Sequence, residues 1–184
     1  MGKRGLLGCT RIKLLFFRSD PDGTYQSDPE IWYSLSMIIR RSQPTDFESC
    51  YALGKATPEL RVSATEEFMD PDEFRYALAN QYGVFLVAEE DNKILGFIYA
   101  TTDDKEKPLL NKWACLVYLA VAQDARRKGV ATALYAECIK KLKGLGITNV
   151  YGWAHEEGKG GIVDFMKKEG FNEGHLYRWM DKKI

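Results

Sequence analysis

A basic turn that contains a glycine is the segment of this 184-residue chain best suited to chemistry. It reads Arg126-Arg127-Lys128-Gly129-Val130-Ala131 and has the form Arg/Gln-x-x-Gly-x-Gly/Ala. Gly129 and the small Ala131 let a backbone approach a bulky anion closely. The first N–H groups of a following helix point outward, and three consecutive cations add positive charge. The pattern predicts a phosphate-binding turn whose spacing differs from the Walker and Rossmann glycine loops.

Groups that could transfer a proton follow two of the predicted strands. Glu89 and Glu90 end one strand, and His155 and Glu156 follow another. A carboxylate or an imidazole can serve as a general base, although for His155 a surface position in a loop is the alternative. The chain has only two histidines and no CxxC pair. We therefore expect no bound metal.

The basic turn lies between the two elements that must position it. The strand before it, residues 114–121, is apolar on both faces, which predicts a central strand of a covered sheet. The helix after it has the clearest helical period in the chain and ends at Gly144 and Gly146. Its apolar stripe comprises Ala131, Leu134, Tyr135, Cys138, Ile139 and Leu142.

Two shorter helices are predicted earlier in the chain. Thr45 is expected to cap the first helix, with Glu48 in a capping-box relation. Asp70 is expected to cap the second, which Pro71 opens and Gly83 closes.

The remaining strands complete a mixed sheet. Their apolar segments predict strands at residues 37–41, 84–88, 94–101, 150–154 and 175–180, with a turn at 90–93 and a short helix at 162–169. The order β-α-α-β-β-β-α-β-α-β implies helices on both faces of the sheet. This is an α/β (α+β) domain with three layers.

The composition excludes several function classes. Lys and Arg total 26 and Asp and Glu total 26, so we expect no nucleic-acid partner. No apolar run approaches the roughly 20 residues of a membrane-spanning helix, so we expect no membrane partner. The four cysteines lie far apart, which favours buried thiols in a reducing compartment. We therefore expect a cytoplasmic protein.

Residues 1–36 differ from the rest of the chain. Five basic residues and no acidic one occur before residue 20, and a turn-rich stretch follows. Three interpretations remain open: a transit peptide, an extra strand and loop laid on the domain, or an over-long start with Met37 as the natural beginning. We therefore predict an extension at 1–36 and a single domain at 37–184.

The segment 118–134 resembles the acetyl-coenzyme A site of the GNAT N-acetyltransferases. The resemblance extends to the opening Ile38-Ile39-Arg40-Arg41 strand and to residues 165–171 near the end of the chain. It covers residues 37–184. It implies a three-layer α-β-α GNAT-like fold with a mixed, mostly antiparallel central sheet.

The resemblance also implies a cosubstrate, acetyl-coenzyme A, and the residues that hold it. Strand backbone would pair with the pantetheine arm, and the N–H groups of 127–132 would hold the pyrophosphate. Arg126 would take the first position of the motif, and Arg127 or Lys128 would reach the extra phosphate of the nucleotide. The implied cofactor residues are Leu119, Ala120, Val121, Arg126, Arg127, Lys128, Gly129, Val130, Ala131 and Thr132.

The implied reaction is direct transfer of acetyl to a primary amine of a small molecule or peptide, with a homodimer left open. Glu89 and His155 are the candidate bases. The family often places a proton-donating tyrosine on the last helix, but Met166 occupies that position here. Tyr135 is the substitute that we name, and an ordinary half-buried tyrosine is the alternative. A non-catalytic acyl-coenzyme A-binding or sensing module on the same fold is therefore the alternative function.

The acceptor region offers two interpretations. Residues 59–73 hold six acids, which could form an acidic wall that attracts a cationic amine, or could be solvated charges and helix-start acids. Similarly, Trp113, Trp153 and Trp179 could line an apolar slot or belong to the core.

Overall fold

A five-stranded sheet organises the computed structural model, which describes residues 18–19, 25–26, 37–61, 68–102, 112–155 and 161–175. The strands are β1 (Arg18–Ser19), β2 (Tyr25–Gln26), β3 (Ile38–Arg41), β4 (Gly83–Glu90), β5 (Lys93–Thr101), β6 (Trp113–Val121) and β7 (Asn149–Gly152). The helices are α1 (Phe47–Lys55), α2 (Pro71–Ala79), α3 (Val130–Gly144) and α4 (Ile162–Lys168).

The main sheet has the order β3-β4-β5-β6-β7, while β1 and β2 pair with each other in a separate sheet. Pairing is antiparallel except between β6 and β7, which are parallel. A tight turn joins β4 to β5, and its residues Asp91 and Asn92 both have positive φ, at 47° and 61°. Two such residues match the right-handed twist of a hairpin. The mixed, mostly antiparallel sheet is therefore confirmed.

Helices cover both faces of the sheet. On one face α3 buries Leu134, Cys138 and Leu142 at helical spacing. On the other face, α1 and α2 enclose an aromatic cluster that includes Phe74 and Phe85. The three-layer prediction is therefore confirmed. The last predicted strand, 175–180, falls almost wholly outside the described residues.

The capping predictions have mixed outcomes. Asp70 caps α2 as expected, because its Oδ1 accepts the N–H groups of Asp72 at 2.8 Å and Glu73 at 3.3 Å. The prediction for Thr45 is wrong. A 3₁₀ turn, Pro44–Asp46, precedes α1, and its capping box joins Gln43 to Asp46. Helix α2 ends at Ala79, short of the predicted glycine, because the next residue is extended.

An arginine clamp fixes the first strand of the main sheet. The guanidinium of Arg40 donates to both carboxylate oxygens of Asp46, at 2.7 and 2.8 Å, and its Nε donates to Glu89 at 2.6 Å. Asp46 also accepts the backbone N–H of Gln43 at 2.7 Å. The hydrogen bonds from Arg40 lower the pKa of Asp46, although burial opposes the shift.

The described cysteines include two thiols in the core. Among the described cysteines, Cys50 and Cys138 are buried and free, and burial raises the pKa of each to about 12. Within the described part of the chain, no helix has both the length and the apolarity to cross a membrane. The domain boundary at Met37 stays a prediction.

The clamp gives a prediction for stability. Asp46→Asn should destabilise the fold by about 1–3 kcal/mol, because it leaves Arg40 with one carboxylate partner. The folded-state pKa of Asp46 lies below its unfolded value of about 3.9, so the stabilisation is complete above roughly pH 5. It is lost as the pH falls through the folded pKa. Denaturant unfolding of both proteins between pH 7 and pH 3 measures this difference.

Asp124→Asn is the matched control. Asp124 also pairs with a cation, Lys93, at 2.5 Å, but both side chains are exposed, at 65% and 60%. Exposed pairs add little to stability. An equal effect of the two substitutions at neutral pH would contradict the role of the clamp.

Candidate functional site

A cleft opens where β6 and β7 part. Their parallel pairing runs from Trp113 opposite Asn149 to Leu116 opposite Gly152. Strand β7 ends there, while β6 continues for five more residues to Val121. Among the described residues, the side of this last part of β6 that faces away from β5 has no strand partner.

A β-bulge marks the point of divergence. Tyr99 of β5 lies opposite Tyr118, but Ala100 lies opposite Leu116, so Val117 is an extra residue in β6. A bulge bends its strand and increases the local twist. Val117 and Tyr118 consequently both pack toward the aromatic face of the sheet, whereas Leu119 packs toward α3.

Close packing at Gly152 holds the two strands together just before they part. A Cβ on this glycine would lie 2.9 Å from the carbonyl oxygen of Leu116 and 3.4 Å from Cε of Met166. The first distance is shorter than real Cβ contacts, so the position requires glycine. The absence of a side chain brings β7 and α4 against β6 at the base of the cleft.

The cleft wall is mostly apolar, with a few polar groups. It combines β6, the residues after β7, the helix α4 and the 3₁₀ turn Pro58–Leu60 that follows α1. This composition is typical of a binding site for a small molecule. The lining residues are Glu59, Leu60, Leu116, Val117, Tyr118, Leu119, Trp153, His155, Ile162 and Met166.

The N-terminus of α3 follows the free part of β6 after a short turn. Gly129 occupies the cap with φ +81° and has no side chain to accept a hydrogen bond, and the first turn of α3 contains no acidic residue. The first helical bond is donated by Ala133 to the Gly129 carbonyl. The N–H groups of 130–132 are therefore available to an anion.

Helix α2 shows what the same chain does at an ordinary helix start. There Asp70 accepts two N–H groups, and Asp72 and Glu73 place negative charge in the first turn. At α3 the charge is reversed, because the cations Arg127 and Lys128 precede the helix. Within the described part of the chain, these two side chains form neither an ion pair nor a side-chain hydrogen bond. Arg127 has φ +63°. This geometry supports the predicted phosphate turn.

Arg126 points away from that helix start. Its Nε donates to the carbonyl of Val121 at 3.1 Å, and its two terminal nitrogens donate to the carboxylate of Glu59 at 3.2 and 3.4 Å. Burial pushes the pKa of Glu59 upward. The hydrogen bond and charge of Arg126, together with the charge of His155, outweigh burial and hold this pKa below its ordinary value.

The structure separates the predicted catalytic residues. His155 lines the cleft, close enough to Glu59 for their charges to interact. Glu89 is bound by Arg40 and lies outside the described cleft lining. Tyr135 is also outside it, because its ring packs edge-on against Phe165 of α4 with the ring centroids 5.8 Å apart. The catalytic roles of all three stay predictions.

Sequence reasoning missed Tyr118. Tyr118 is one of the cleft-lining residues, its ring packs against Phe68, and burial raises its pKa to about 12. Only its position in the second half of a long apolar strand could have drawn attention to it. The bulge at the neighbouring Val117 leaves no recognisable sequence signal.

The acidic region does not form a continuous wall in the described residues. Glu59 is bound by Arg126, Asp70 caps α2 and Asp72 pairs with Arg75 at 2.9 Å. Asp70 and Asp72 fit the interpretation as helix-start acids, whereas Glu59 is not a solvated charge. Glu66 and Glu67 lie outside the described residues. Trp153, in contrast, is 66% exposed and lines the cleft, while Trp113 packs edge-on against another aromatic ring.

Comparison with known proteins identifies the family. The model of the Acetyltransferase (GNAT) family matches residues 47–171, which is more than half of the chain. No curated protein matches the sequence.

Solved structures share the fold at low sequence identity. The aminoglycoside acetyltransferase meta-AAC0020 from an uncultured soil metagenomic sample, in complex with sisomicin, has a TM-score of 0.61 and 20% identity, covering 80% of this chain and 97% of its own. A ribosomal-protein-alanine N-acetyltransferase from Brucella melitensis gives 0.63 and 19%, covering 75% and 86%. The PaiA N-acetyltransferase from Thermoplasma acidophilum, in complex with coenzyme A, gives 0.54 and 18%, covering 72% and 87%.

The base of the cleft gives a prediction about packing. Gly152→Ala should cost about 1–3 kcal/mol of unfolding free energy, because the added methyl group meets a backbone oxygen. Gly144→Ala is the control, since a Cβ at this last residue of α3 meets nothing within 4 Å. It should be neutral or stabilise by up to about 1 kcal/mol. Equal unfolding midpoints for the two variants would contradict the close approach.

Proposed function

The chain belongs to the GNAT acetyltransferase family, and from this premise we propose that it transfers an acetyl group from acetyl-coenzyme A directly to a primary amine. The acceptor is a small molecule or a peptide. The proposal is carried by two features that follow each other along the chain: the edge of β6 without a strand partner, and the N-terminus of α3 without a side-chain cap.

These two features fit the chemistry of coenzyme A. The pantetheine arm contains amides, which can pair with β6 at Leu119, Ala120 and Val121 as an added strand along the edge that has no strand partner among the described residues. The pyrophosphate is an anion suited to the N–H groups that begin α3. Arg127 and Lys128 supply positive charge beside it. The free, buried cysteines are consistent with a cytoplasmic location, where acetyl-coenzyme A would be available.

The transfer requires two proton movements. The acceptor ammonium must lose a proton before its nitrogen attacks the thioester carbon, and the sulfur must gain one as the carbon–sulfur bond breaks. We propose His155 as the base, because it is the imidazole in the cleft. Met166 cannot donate a proton. We propose Tyr118 as the proton donor to sulfur, because it is a described lining residue with a hydroxyl group. A phenol with a pKa of about 12 stays protonated at neutral pH.

The thioether of Met166 is also the observation that keeps a second function open. A module that binds acyl-coenzyme A without turnover needs the same cleft but no proton donor. A direct measurement separates the two. Purified protein is mixed with acetyl-coenzyme A and a panel of primary amines, namely an aminoglycoside, a peptide with an N-terminal alanine and a polyamine, and free thiol is followed. Amine-dependent thiol release supports transfer, and binding without release supports the module.

The phosphate turn gives a test of cofactor placement. Gly129→Val should weaken binding of acetyl-coenzyme A by more than about tenfold, because the new side chain enters the space that the pyrophosphate would occupy. That space is open, since a Cβ at this glycine meets nothing within 4 Å. Isothermal titration calorimetry measures the affinity.

Gly146→Val is the matched control for backbone strain. Gly146 has φ +79°, close to the +81° of Gly129, and its Cβ position is equally open, but it follows the far end of α3. Both variants should lose similar stability, and Gly146→Val should keep the wild-type affinity. Equal affinities in the two variants would overturn the placement.

Met166 gives a test of the proton-transfer scheme. Met166→Leu should change the rate of thiol release less than about tenfold, because it alters packing without removing a donor. Met166→Tyr should equal or exceed the wild-type rate, since a phenol beside sulfur favours departure of the thiolate. A loss of about 10³-fold in the leucine variant, with folding and cofactor affinity intact, would mean that this position takes part in the chemistry.

A further inference from the structure

Arg126 and Glu59 form an ion pair that joins two parts of the site far apart in sequence. They are 67 residues apart, and the pair is bidentate, with distances of 3.2 and 3.4 Å. A forked pair of this kind fixes direction as well as distance. Glu59 is largely buried, with its side chain 14% exposed. The guanidinium therefore offsets the cost of burying this carboxylate in its charged form.

The same guanidinium also binds the end of β6, the strand proposed to pair with the pantetheine arm. Its Nε donates to the carbonyl of Val121, the last residue of β6. Arg126 thus connects the end of β6 with the 3₁₀ turn Pro58–Leu60. Glu59 and Leu60 of that turn line the cleft, and so does Met166 of α4.

These contacts use three of the five N–H donors of Arg126 within the protein. The neighbouring cations Arg127 and Lys128 form no ion pair with the described residues, so they carry the charge available to a phosphate. Arg126 lies at the first position of the phosphate motif, yet its contacts are with a carboxylate and a strand carbonyl.

We propose that Arg126 is a positioning residue for the acceptor side of the cleft and not a phosphate ligand. It latches the turn Pro58–Leu60 to the end of β6, so that the wall at Glu59 and Leu60 stays at a fixed distance from the thioester. The proposal rests on the proposed acetyl transfer. Loss of the latch impairs binding of the amine and leaves binding of acetyl-coenzyme A intact.

The test compares Arg126→Met, Glu59→Gln and the double variant. Calorimetry measures the dissociation constant of acetyl-coenzyme A, and thiol release measures KM for the amine in the panel that reacts fastest. Each single variant should raise this KM about tenfold and change the acetyl-coenzyme A constant less than about threefold. The double variant should be no worse than either single one, because both remove the same interaction.

Two further variants separate a latch from a phosphate contact. Arg127→Met should show the opposite pattern, with weaker acetyl-coenzyme A binding and an unchanged amine KM at saturating cofactor. Arg126→Lys should still raise the amine KM severalfold, since an ammonium cannot reproduce the forked contact, whereas a phosphate site would accept it.

The outcomes are distinct from those for the proposed function. If none of the amines causes thiol release, the proposed acetyl transfer is wrong. The dissociation constants of acetyl-coenzyme A and the unfolding midpoints of the variants still test the positioning role of Arg126. Unchanged constants with non-additive losses of stability support it. Tenfold weaker acetyl-coenzyme A binding in Arg126→Met, with normal binding in Glu59→Gln, overturns it.

Discussion

The early end of the parallel pairing between β6 and β7 is the constraint on which the rest of the site depends. Past Leu116 and Gly152 the two strands share no backbone hydrogen bonds, and the bulge at Val117 bends β6 at that point. An unpaired strand edge is normally covered or blunted in a folded protein. Here it borders a cleft, and no strand of the described chain covers it.

The helix that follows this edge, α3, likewise lacks a protein group, since no side chain caps its N-terminus. Side-chain capping of a helix start is worth about 1 kcal/mol, and the chain uses it at α2 through Asp70. At α3 the cap is a glycine in the left-handed region, which contributes no side chain. Among the described residues, the strand edge therefore has no strand partner and the helix start has no side-chain cap. Two adjacent departures from ordinary secondary structure indicate a functional site more strongly than either one alone.

Local patterns predicted the fold well, because they report on neighbours in the chain. The sequence indicates the cap at Asp70, the apolar stripe of α3 and the apolar strands, and the resemblance to the GNAT family predicts the phosphate turn. The sequence does not indicate the bulge at Val117 or the ion pair between Glu59 and Arg126. Both depend on contacts across the fold, and no short-range pattern encodes which carboxylate a given arginine will meet.

The same limitation explains why the carboxylates were poor guides to catalysis. Asp46 and Glu89 bind Arg40, and Glu59 binds Arg126, so each of these three acids is paired with an arginine. Glu59 is the one carboxylate among the described lining residues, and its pairing weakens it as a base. Under the proposed acetyl transfer, proton removal would then fall to an imidazole or to water. An acceptor would be held mainly by shape and apolar contact, because the cleft lining is mostly apolar.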